Sequence, residues 1–302
     1  MATHVITGAG SGIGAAVARR LHARGDDLVL HARDAGRAKE LAGEFPGART
    51  LVGDLADPDR LSWAFSHQSR PHRVDTHLHR AGLLAPGPAP APPPRGGAPA
   101  RRPPRRAGAR GGGRPGAPPA PPPGAGPPPP PDRLSWAFSH QSLPDQVDSL
   151  LHIAGVVDLG PVGDLTPKSW RHQLNVNLVA PAELTRHFLP QLRASRGHVI
   201  FVNSGAGLAA HADWSAYAAS KHGLKALADS LRHEEHANGV RVTSVYPGRT
   251  ASPMQVKVHQ QEGKDYDPQK WIDPESVATA ILMSLDLPRD AEVNDLTVRP
   301  GK

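Results

Sequence analysis

The chain has 302 residues, enough for one large domain or two small ones, and a formal net charge of +7. It has no cysteine, which excludes disulfides, thiolate nucleophiles and thiolate metal sites, so any redox chemistry must depend on a cofactor. No apolar run approaches the ~20 residues that span a bilayer, and a glycine-rich turn follows closely on the N-terminus. We therefore expect a soluble cytoplasmic protein without a signal peptide or a membrane anchor.

Predicted strands and helices alternate along most of the chain. In the N-terminal part we predict a strand at 3–7, a helix from Gly12, a strand at 27–32, a helix at 36–45 and a strand at 48–54. In the C-terminal part we predict helices at 132–140, 167–192, 215–238 and 274–285, and strands at 147–155, 198–203, 240–247 and 293–298. This order is typical of a Rossmann-type, doubly wound parallel sheet in a single α/β domain, with its ligand crevice at the carboxyl ends of the strands.

Residues 59–131 have a different composition from the rest of the chain. They hold 21 of the 34 prolines, 11 of the 31 glycines, and 11 arginines against 2 aspartates. Their net charge of +9 exceeds the +7 of the whole chain, so the remaining residues carry −2. We expect a low-complexity, disordered insert that interrupts a domain formed by residues 1–58 and 132–302.

A repeat brackets this insert. The sequence PDRLSWAFSHQS occurs at 58–69 and again at 131–142. The first copy continues with His77 and Arg80 where the second has Leu150 and Ile153, so only the second can supply a buried strand. Two interpretations of the insert stay open: a partial tandem duplication or gene-model error, and an Arg/Pro-rich docking or nucleic-acid-binding segment.

The first predicted strand runs directly into the glycine-rich sequence TGAGSGIG. Gly8 permits a tight turn, Gly12 lets the backbone approach a phosphate, and Gly14 lets the following helix pack on the strand. A pyrophosphate would bind at the helix N-terminus. By itself the spacing also fits an ordinary glycine-rich turn.

A second motif lies two hundred residues downstream. Ser204 precedes Tyr217 by thirteen residues, and Lys221 follows Tyr217 by four. Residues i and i+4 share a face of a helix, so the phenol and the ammonium group would lie side by side. A nearby ammonium favours the phenolate, which predicts a tyrosine that works as an acid and base near neutral pH.

Together the two motifs resemble the classical short-chain dehydrogenase/reductase family, over residues 1–58 and 132–302. Three further motifs match in the expected order: GDLAD at 53–57, NVNL at 175–178 and YPGRTAS at 246–252. The resemblance implies an oxidoreductase that interconverts a small-molecule carbonyl compound and an alcohol by hydride transfer. It also implies a homodimer or homotetramer, and neither a membrane nor a nucleic acid is an expected partner.

The resemblance assigns a catalytic role to four residues. Tyr217 would exchange a proton with the substrate oxygen, Ser204 would hold that oxygen, and Lys221 would bind the nicotinamide ribose and lower the pKa of the tyrosine. Asn177 would position a water that relays protons. The implied cofactor contacts are Gly8, Ser11, Gly12, Ile13, Gly14, Arg33, Asp54, Leu55, Ala154, Gly155, Tyr217, Lys221, Pro247, Gly248, Thr250 and Ser252.

Other positions affect the choice of cofactor and the limits of the resemblance. Arg33 follows the second strand where an acidic residue would select NAD(H), so we expect NADP(H), with Arg37 as a helper. The usual NNAG of the family reads HIAG here, with Ile153 in place of an asparagine.

Three further expectations concern the substrate, metals and the alternative function. Residues 249–271 are predicted to form a mobile lid over the substrate. The histidines of HEEH at 233–236 lack the i, i+4 spacing of a zinc motif, so we expect no metal. A non-catalytic NADP(H)-binding regulator remains the alternative function.

The repeat allows a direct test of the insert. Excision of residues 59–131 joins Pro58 to Asp132 and restores the same local sequence. We expect the shortened protein to fold, to keep NADPH affinity, and to gain at most ~1 to 3 kcal/mol of unfolding free energy, because loop-closure entropy rises only logarithmically with loop length. Thermal midpoints and NADPH titrations of both forms measure this. Loss of folding or of cofactor binding after excision would contradict dispensability.

Overall fold

One parallel sheet organises the protein. The computed structural model describes residues 1–57 and 144–301, and seven strands within them join in the order β3-β2-β1-β4-β5-β6-β7 with every neighbouring pair parallel. The strands are β1 Thr3–Thr7, β2 Asp27–Ala32, β3 Arg49–Val52, β4 Ser149–His152, β5 His198–Val202, β6 Arg241–Pro247 and β7 Asp295–Val298. The predicted Rossmann-type, doubly wound parallel sheet is confirmed.

Seven α-helices of the described residues connect these strands. They are α1 Gly12–Ala23, α2 Ala35–Glu44, α3 Pro167–Leu174, α4 Ala180–Ser195, α5 Ser215–Glu235, α6 Pro253–Gln261 and α7 Pro274–Leu285. Four of them begin at a polar side chain that accepts a hydrogen bond from a backbone N–H of the first turn: Asp34, Thr166, Ser252 and Asp273. Such caps satisfy N–H groups that have no partner within the helix and stabilise it by ~1 kcal/mol each.

The central strands have no face exposed to solvent. β5 and β6 are buried along their whole length, and Val5 and Ile6 of β1 are fully buried. Burial on both faces explains why β5, HVIFV, has an apolar run rather than an alternating pattern, whereas β6 also buries the polar Thr243 and Ser244. Each buried valine or isoleucine stabilises the fold by ~1.5 to 3 kcal/mol relative to an exposed one. The rigid sheet therefore fixes the residues at its carboxyl edge, where the predicted motifs lie.

The prediction of one long helix over 167–192 is wrong in detail. A π-helical turn, Asn175–Val179, separates α3 from α4, and the Ala180 N–H donates to the carbonyl oxygen of Asn175. A π turn inserts one extra residue without ending the helix. The apolar periodicity of a sequence does not resolve such an insertion, and here it falls on the NVNL motif.

The segment after β6, residues 249–271, contains a regular helix that was not predicted, α6, capped by Ser252. That these residues form a mobile lid stays a prediction. Gln255 stands three residues after the cap, which is the spacing of a capping box. That signal was present in the sequence and identifies the start of α6.

The predictions about the repeat are tested only in part. The insert at 59–131 and the helix expected at 132–140 lie outside the described residues. β4, however, falls within the continuation of the second copy, at Ser149–His152, and pairs with both β1 and β5. The second copy therefore supplies a central strand of the sheet.

Three of the buried histidines in the sheet have a strongly lowered pKa. Burial lowers the pKa of His31 to about 4, and the pKa values of His152 and His198 to about 3. His152 Nε2 lies 2.9 Å from Thr185 Oγ1, and His198 Nε2 lies 2.8 Å from Thr243 Oγ1. Each ring is therefore neutral in the folded protein at pH values where it is protonated in the unfolded chain.

We expect these histidines to make the fold sensitive to mild acid. Below the unfolded pKa of ~6.5 the unfolded chain binds protons that the folded protein does not, so stability is full above pH 6.5 and falls as the pH drops toward 4. Each histidine can remove ~1.4 kcal/mol per pH unit. Urea unfolding between pH 7 and pH 5 measures the slope. The exposed His233→Gln control should keep that slope, and a stability that does not change over this range would contradict the expectation.

Candidate active site

The carboxyl edge of the sheet opens into a cleft of about 900 Å³. Most of the residues assigned from the sequence line it. They are Gly8, Ser11, Gly12, Ile13, Gly14, Ala154, Gly155, Ser204, Tyr217, Lys221, Pro247, Gly248, Thr250 and Ser252. Arg33, Asp54, Leu55 and Asn177 are not among the lining residues. β1 and β4 lie side by side at this edge although they are far apart in sequence, so the cleft sits at the topological switch point, where open α/β sheets bind ligands.

The glycine-rich turn after β1 has no room for side chains. A Cβ on Gly8 would lie 2.7 Å from the backbone nitrogen of Ala154, and Gly8 has a φ of 77°. A Cβ on Gly14 would lie 2.0 Å from the carbonyl oxygen of Gly8. The turn, the first turn of α1 and the end of β4 are thus in backbone contact. The result is an open surface of main-chain atoms, as a pyrophosphate site requires.

Two helix N-termini meet beside this turn. Gly12 starts α1 with a φ of 52°, and a Cβ on it would lie 3.3 Å from Cβ of Ser252, the cap of α6. Ser11 caps α1 without a side-chain hydrogen bond to the helix. Each N-terminus carries partial positive charge from its free N–H groups. Their convergence makes this part of the cleft suited to an anion.

The residues after β2 and β3 lie beyond the cleft lining. The side chain of Arg33 is 77% exposed, with its Nε 3.5 Å from Oδ2 of Asp34. Arg37 donates to the carbonyl oxygen of Gly10 and pairs with Glu40. The Arg37 guanidinium therefore lies across the glycine-rich turn, while that of Arg33 is held less firmly.

Asp54 and Leu55 follow β3 in a short turn. Asp54 Oδ1 accepts a hydrogen bond of 2.9 Å from the N–H of Ala56, and Leu55 is buried. Asn175, from the π turn, donates to the carbonyl oxygen of Ala56 at 2.8 Å. The turn is thereby tied to the helix that follows β4.

Tyr217 and Lys221 lie side by side on α5 and are both buried. Lys221 Nζ is 5.9 Å from the centre of the Tyr217 ring and donates to the carbonyl oxygen of Val202 at 3.0 Å. Trp214 contacts the tyrosine edge to face, with ring centres 5.7 Å apart. The i, i+4 arrangement expected from the sequence is therefore present.

The pKa of Tyr217 is not lowered, contrary to the expectation from the sequence. Burial raises the pKa of Tyr217, and the side-chain hydrogen bond of Ser204 opposes this only in part. Burial also lowers the pKa of Lys221 to about 8. Desolvation disfavours the charged form of each group, and it sets the direction of both pKa shifts. At neutral pH the tyrosine therefore holds its proton.

Asn203, which sequence reasoning did not assign, fixes the position of Ser204. Its Oδ1 accepts from the N–H of Ser204 at 2.9 Å, and its Nδ2 donates to the carbonyl oxygen of Lys221 at 3.1 Å. Asn203 is itself buried. This one side chain therefore links the loop that carries the serine to the helix that carries the lysine. Its place directly before Ser204 was the only signal in the sequence.

The side chain of Asn177 is fully engaged with the protein. Its Nδ2 donates to the carbonyl oxygen of Val156 (2.9 Å) and to Ser220 Oγ (3.0 Å), and its Oδ1 accepts from the N–H of Val156 (2.8 Å). A Cβ on Gly155 would lie 3.4 Å from Asn177 Oδ1 and 3.7 Å from Lys221 Nζ. The asparagine thus holds the strand end beside the lysine, and its side chain has little capacity left for a water.

Thr7 binds the end of β4 at Ile153, the position where the family's motif has an asparagine. Its hydroxyl accepts from the N–H groups of Ile153 (3.1 Å) and Ala154 (3.2 Å) and lies 3.3 Å from the carbonyl oxygen of Leu151. Thr7 is the last residue of β1. A threonine hydroxyl therefore joins β1 to the end of β4.

The helix α6 closes one side of the cleft and is anchored by ion pairs. Arg249 donates to both carboxylate oxygens of Glu262, at 2.9 and 2.6 Å, and Lys257 pairs with Asp158. Met254 and Val258 face the cleft from the same helix. Further lining residues that the sequence did not identify are Val157, Ala209, His211, Trp214 and Arg299.

Two classes of site are not found in the described part of the chain. No helix in residues 1–57 and 144–301 is long and apolar enough to cross a membrane. Those residues also contain no cluster of three or more histidine, aspartate or glutamate side chains that could hold a metal ion.

Comparison with protein families gives one match that covers most of the chain. The family model of short chain dehydrogenases (adh_short) matches residues 2–92 and 137–263. This match includes the first copy of the repeat and ends within the segment after α6.

Comparison with curated proteins gives two kinds of relative. Dehydrogenase/reductase SDR family member 11 of Bos taurus is 26% identical over 98% of this chain and 94% of its own length. An uncharacterized oxidoreductase of Staphylococcus epidermidis is 29% identical over 51% of this chain, and an uncharacterized short-chain type dehydrogenase/reductase of Sinorhizobium fredii is 31% identical over 52%. The chain spans 65% of the length of each of these two bacterial relatives.

Comparison with solved structures gives the same fold. An alcohol dehydrogenase of Thermococcus sibiricus complexed with 5-hydroxy-NADP has a TM-score of 0.64 at 19% identity, over 100% of this chain and 97% of its own. A short-chain dehydrogenase of Sphingobium yanoikuyae in complex with NADPH has a TM-score of 0.61 at 21% identity, over 100% and 88%. At such identities the likeness concerns the fold alone.

Proposed function

Because the chain belongs to the short-chain dehydrogenase family, we propose that it is an NADP(H)-dependent oxidoreductase that interconverts a carbonyl compound and an alcohol. One observation carries the proposal: Ser204, Tyr217 and Lys221 line the same cleft as the glycine-rich turn. A proton donor and an anion-binding surface in one cleft are what a reaction between a dinucleotide and a carbonyl compound requires.

The cleft suits a dinucleotide. The turn at Gly8 and Gly14 is a cradle that a Cβ would fill, and the N-termini of α1 and α6 converge on it, so these groups would hold the pyrophosphate. Asp54 and Leu55 would contact the adenosine end, and Arg33 would bind a 2′-phosphate. At the other end Ala154, Gly155, Pro247, Gly248 and Thr250 would contact the nicotinamide and its ribose. Ile13, Ser11 and Ser252 complete the set of proposed contacts.

Tyr217 is the proposed acid and base. NADP(H), when bound, would supply a hydride to the carbonyl carbon or accept one from the carbinol carbon. Tyr217 would give its phenolic proton to the carbonyl oxygen in the first case, and its phenolate would take the hydroxyl proton of the alcohol in the second. Ser204 donates a hydrogen bond to that oxygen and so holds it beside the phenol. Lys221 would bind the ribose, and its positive charge stabilises the phenolate that forms when the proton leaves.

The raised pKa of Tyr217 favours one direction at neutral pH. Carbonyl reduction needs the protonated phenol, and burial keeps the phenol protonated. Alcohol oxidation needs the phenolate, so it should be favoured as the pH rises. Since Lys221 has a pKa of about 8, it remains mostly charged at pH 7 and can still stabilise the phenolate.

Asn177 is proposed to hold neighbouring residues of the site in place rather than to take part in proton transfer. In the family this residue positions a relay water, but its amide here hydrogen-bonds to Val156 and Ser220. We therefore propose that Asn177 holds the end of β4 beside Lys221, and that any relay water is held by main-chain atoms of the π turn.

The choice of NADP(H) rests on Arg33, with support from proteins of the same fold. The Thermococcus sibiricus and Sphingobium yanoikuyae proteins were solved with 5-hydroxy-NADP and NADPH. A cytoplasmic homodimer or homotetramer acting on a small molecule is proposed from family membership. Size-exclusion chromatography with light scattering gives the number of subunits directly.

A panel of carbonyl compounds tests the function. Purified protein is mixed with NADPH and with neutral aldehydes, ketones and oxo acids, and the loss of NADPH absorbance is followed. We expect at least one compound to be reduced at a rate proportional to enzyme concentration. NADPH binding without turnover on any member would instead favour the non-catalytic, NADP(H)-binding regulator.

A further inference from the structure

Arg299 brings a positive charge into the cleft, directly after β7. Within residues 1–57 and 144–301 it makes no hydrogen bond and no ion pair, and it is exposed. A Cβ built on Gly205 would lie 3.0 Å from Arg299 Nη1. Since Gly205 follows Ser204, this guanidinium lies next to the residue proposed to hold the substrate oxygen.

The other charges of the cleft are already matched. Arg249 pairs with Glu262, Lys257 pairs with Asp158, and Lys221 is buried against the carbonyl oxygen of Val202. The described lining residues include four cations, Lys221, Arg249, Lys257 and Arg299, and no aspartate or glutamate. Of these four, only Lys221 and Arg299 have no carboxylate partner among the described residues, and Arg299 is the arginine of the two.

An arginine in this situation favours a planar anion. A guanidinium binds a carboxylate with two parallel hydrogen bonds, which gives both energy and orientation. Trp214, Met254 and Val258 contribute apolar side chains to the same cleft. A substrate with a short aliphatic body and one carboxylate matches both surfaces.

We infer that the substrate carries a carboxylate near its reacting carbonyl group, and that Arg299 binds this carboxylate. The inference rests on the proposed function and narrows it to short oxo acids and their hydroxy acids. Because Arg299 lies beside the residue that follows Ser204, the carboxylate and the reacting carbonyl group should be close together in the substrate, as they are in 2-oxo and 3-oxo acids.

Kinetics on matched substrates test the inference. Short 2-oxo and 3-oxo acids are compared with their methyl esters, with NADPH, in the wild type, Arg299→Gln and Arg299→Lys. We expect the wild type to prefer the acids, and Arg299→Gln to lower kcat/KM for acids about 10- to 100-fold, mainly through KM, the range of a charge-assisted hydrogen bond. The esters should be unaffected, and Arg299→Lys should retain part of the preference. Arg171→Gln, an exposed arginine of α3 outside the cleft lining, is the control and should match the wild type.

Calorimetry separates this inference from the proposed function. The protein in NADP⁺ is titrated with 3-methylbutanoate and with 3-methylbutanamide, neither of which can react. We expect tighter binding of the carboxylate in the wild type and equal binding of both in Arg299→Gln. Equal binding in the wild type, or weaker NADPH binding in Arg299→Gln, would overturn the inference, the latter because Arg299 would then serve the cofactor. Reduction of neutral carbonyl compounds without any preference for acids would leave the proposed function intact and overturn only the role of Arg299.

Discussion

Replacing Tyr217 by phenylalanine should lower turnover by at least the ~100-fold typical of the loss of a general acid. The substitution removes only the phenolic hydroxyl and keeps the ring that packs on Trp214. The carbonyl oxygen would then lack the phenol as its general acid and keep only the hydrogen bond of Ser204, while the glycine-rich turn and its anion-binding surface are unchanged. We therefore expect NADPH affinity and the thermal midpoint to stay close to those of the wild type. Stopped-flow measurement of NADPH oxidation under single-turnover conditions isolates the chemical step.

A matched control accompanies this variant. Tyr266 packs edge to face on His259 after α6 and does not line the cleft, so Tyr266→Phe removes a hydroxyl of the same kind away from the site. It should retain wild-type turnover. If Tyr217→Phe also turned over at the wild-type rate, the assignment of Tyr217 as the acid and base would be wrong.

Replacing Arg33 by aspartate should reverse the preference between NADPH and NADH. The arginine side chain is mostly exposed after β2, so it is free to meet a 2′-phosphate. An aspartate would repel the phosphate and could bind the 2′-hydroxyl of NADH instead. Loss of one charge-assisted contact corresponds to about 10- to 100-fold in kcat/KM for NADPH, and the gain for NADH adds to the change in the ratio.

Two further variants show which arginine determines the preference between NADPH and NADH. Arg33→Ala removes the attraction without adding repulsion, so its ratio should lie between those of the wild type and Arg33→Asp. Arg37→Ala should change the ratio less, because Arg37 is engaged by Gly10 and Glu40. An unchanged ratio in Arg33→Asp, together with a large change in Arg37→Ala, would assign the 2′-phosphate to Arg37.

Sequence reasoning predicted the elements whose signals are local. β5 was recognised by its apolar run, VIFV, and β1 because its apolar residues lead directly into the glycine-rich turn. The i, i+4 pair of Tyr217 and Lys221 was recognised because a helix brings such residues together whatever surrounds it. The glycine-rich turn was predicted to line the ligand cleft because it connects a strand to a helix, and it does line the cleft.

Features that depend on contacts between distant segments were not predicted. The pairing of Thr7 with the end of β4 and the approach of Arg299 to Gly205 join residues far apart in the chain. The pKa of Tyr217 was expected to fall because the sequence shows its charged neighbour, whereas its burial becomes visible only when α5 packs in the fold. The π turn at Asn175–Val179 shifts the helix by one residue, which the apolar pattern does not record.

The central claim is that this cleft transfers a hydride from NADPH to a carbonyl carbon while Tyr217 supplies the proton. The most direct test uses NADPH that carries deuterium at C4 of the nicotinamide, in ordinary water, with the best substrate of the carbonyl panel. Each of the two C4 positions is labelled in turn, and mass spectrometry locates the isotope in the alcohol. The account predicts that one of the two cofactors places deuterium on the carbinol carbon in full yield, and that Tyr217→Phe slows this transfer at least ~100-fold. An alcohol without deuterium from either cofactor, or equal rates of label transfer in the wild type and Tyr217→Phe, would contradict it.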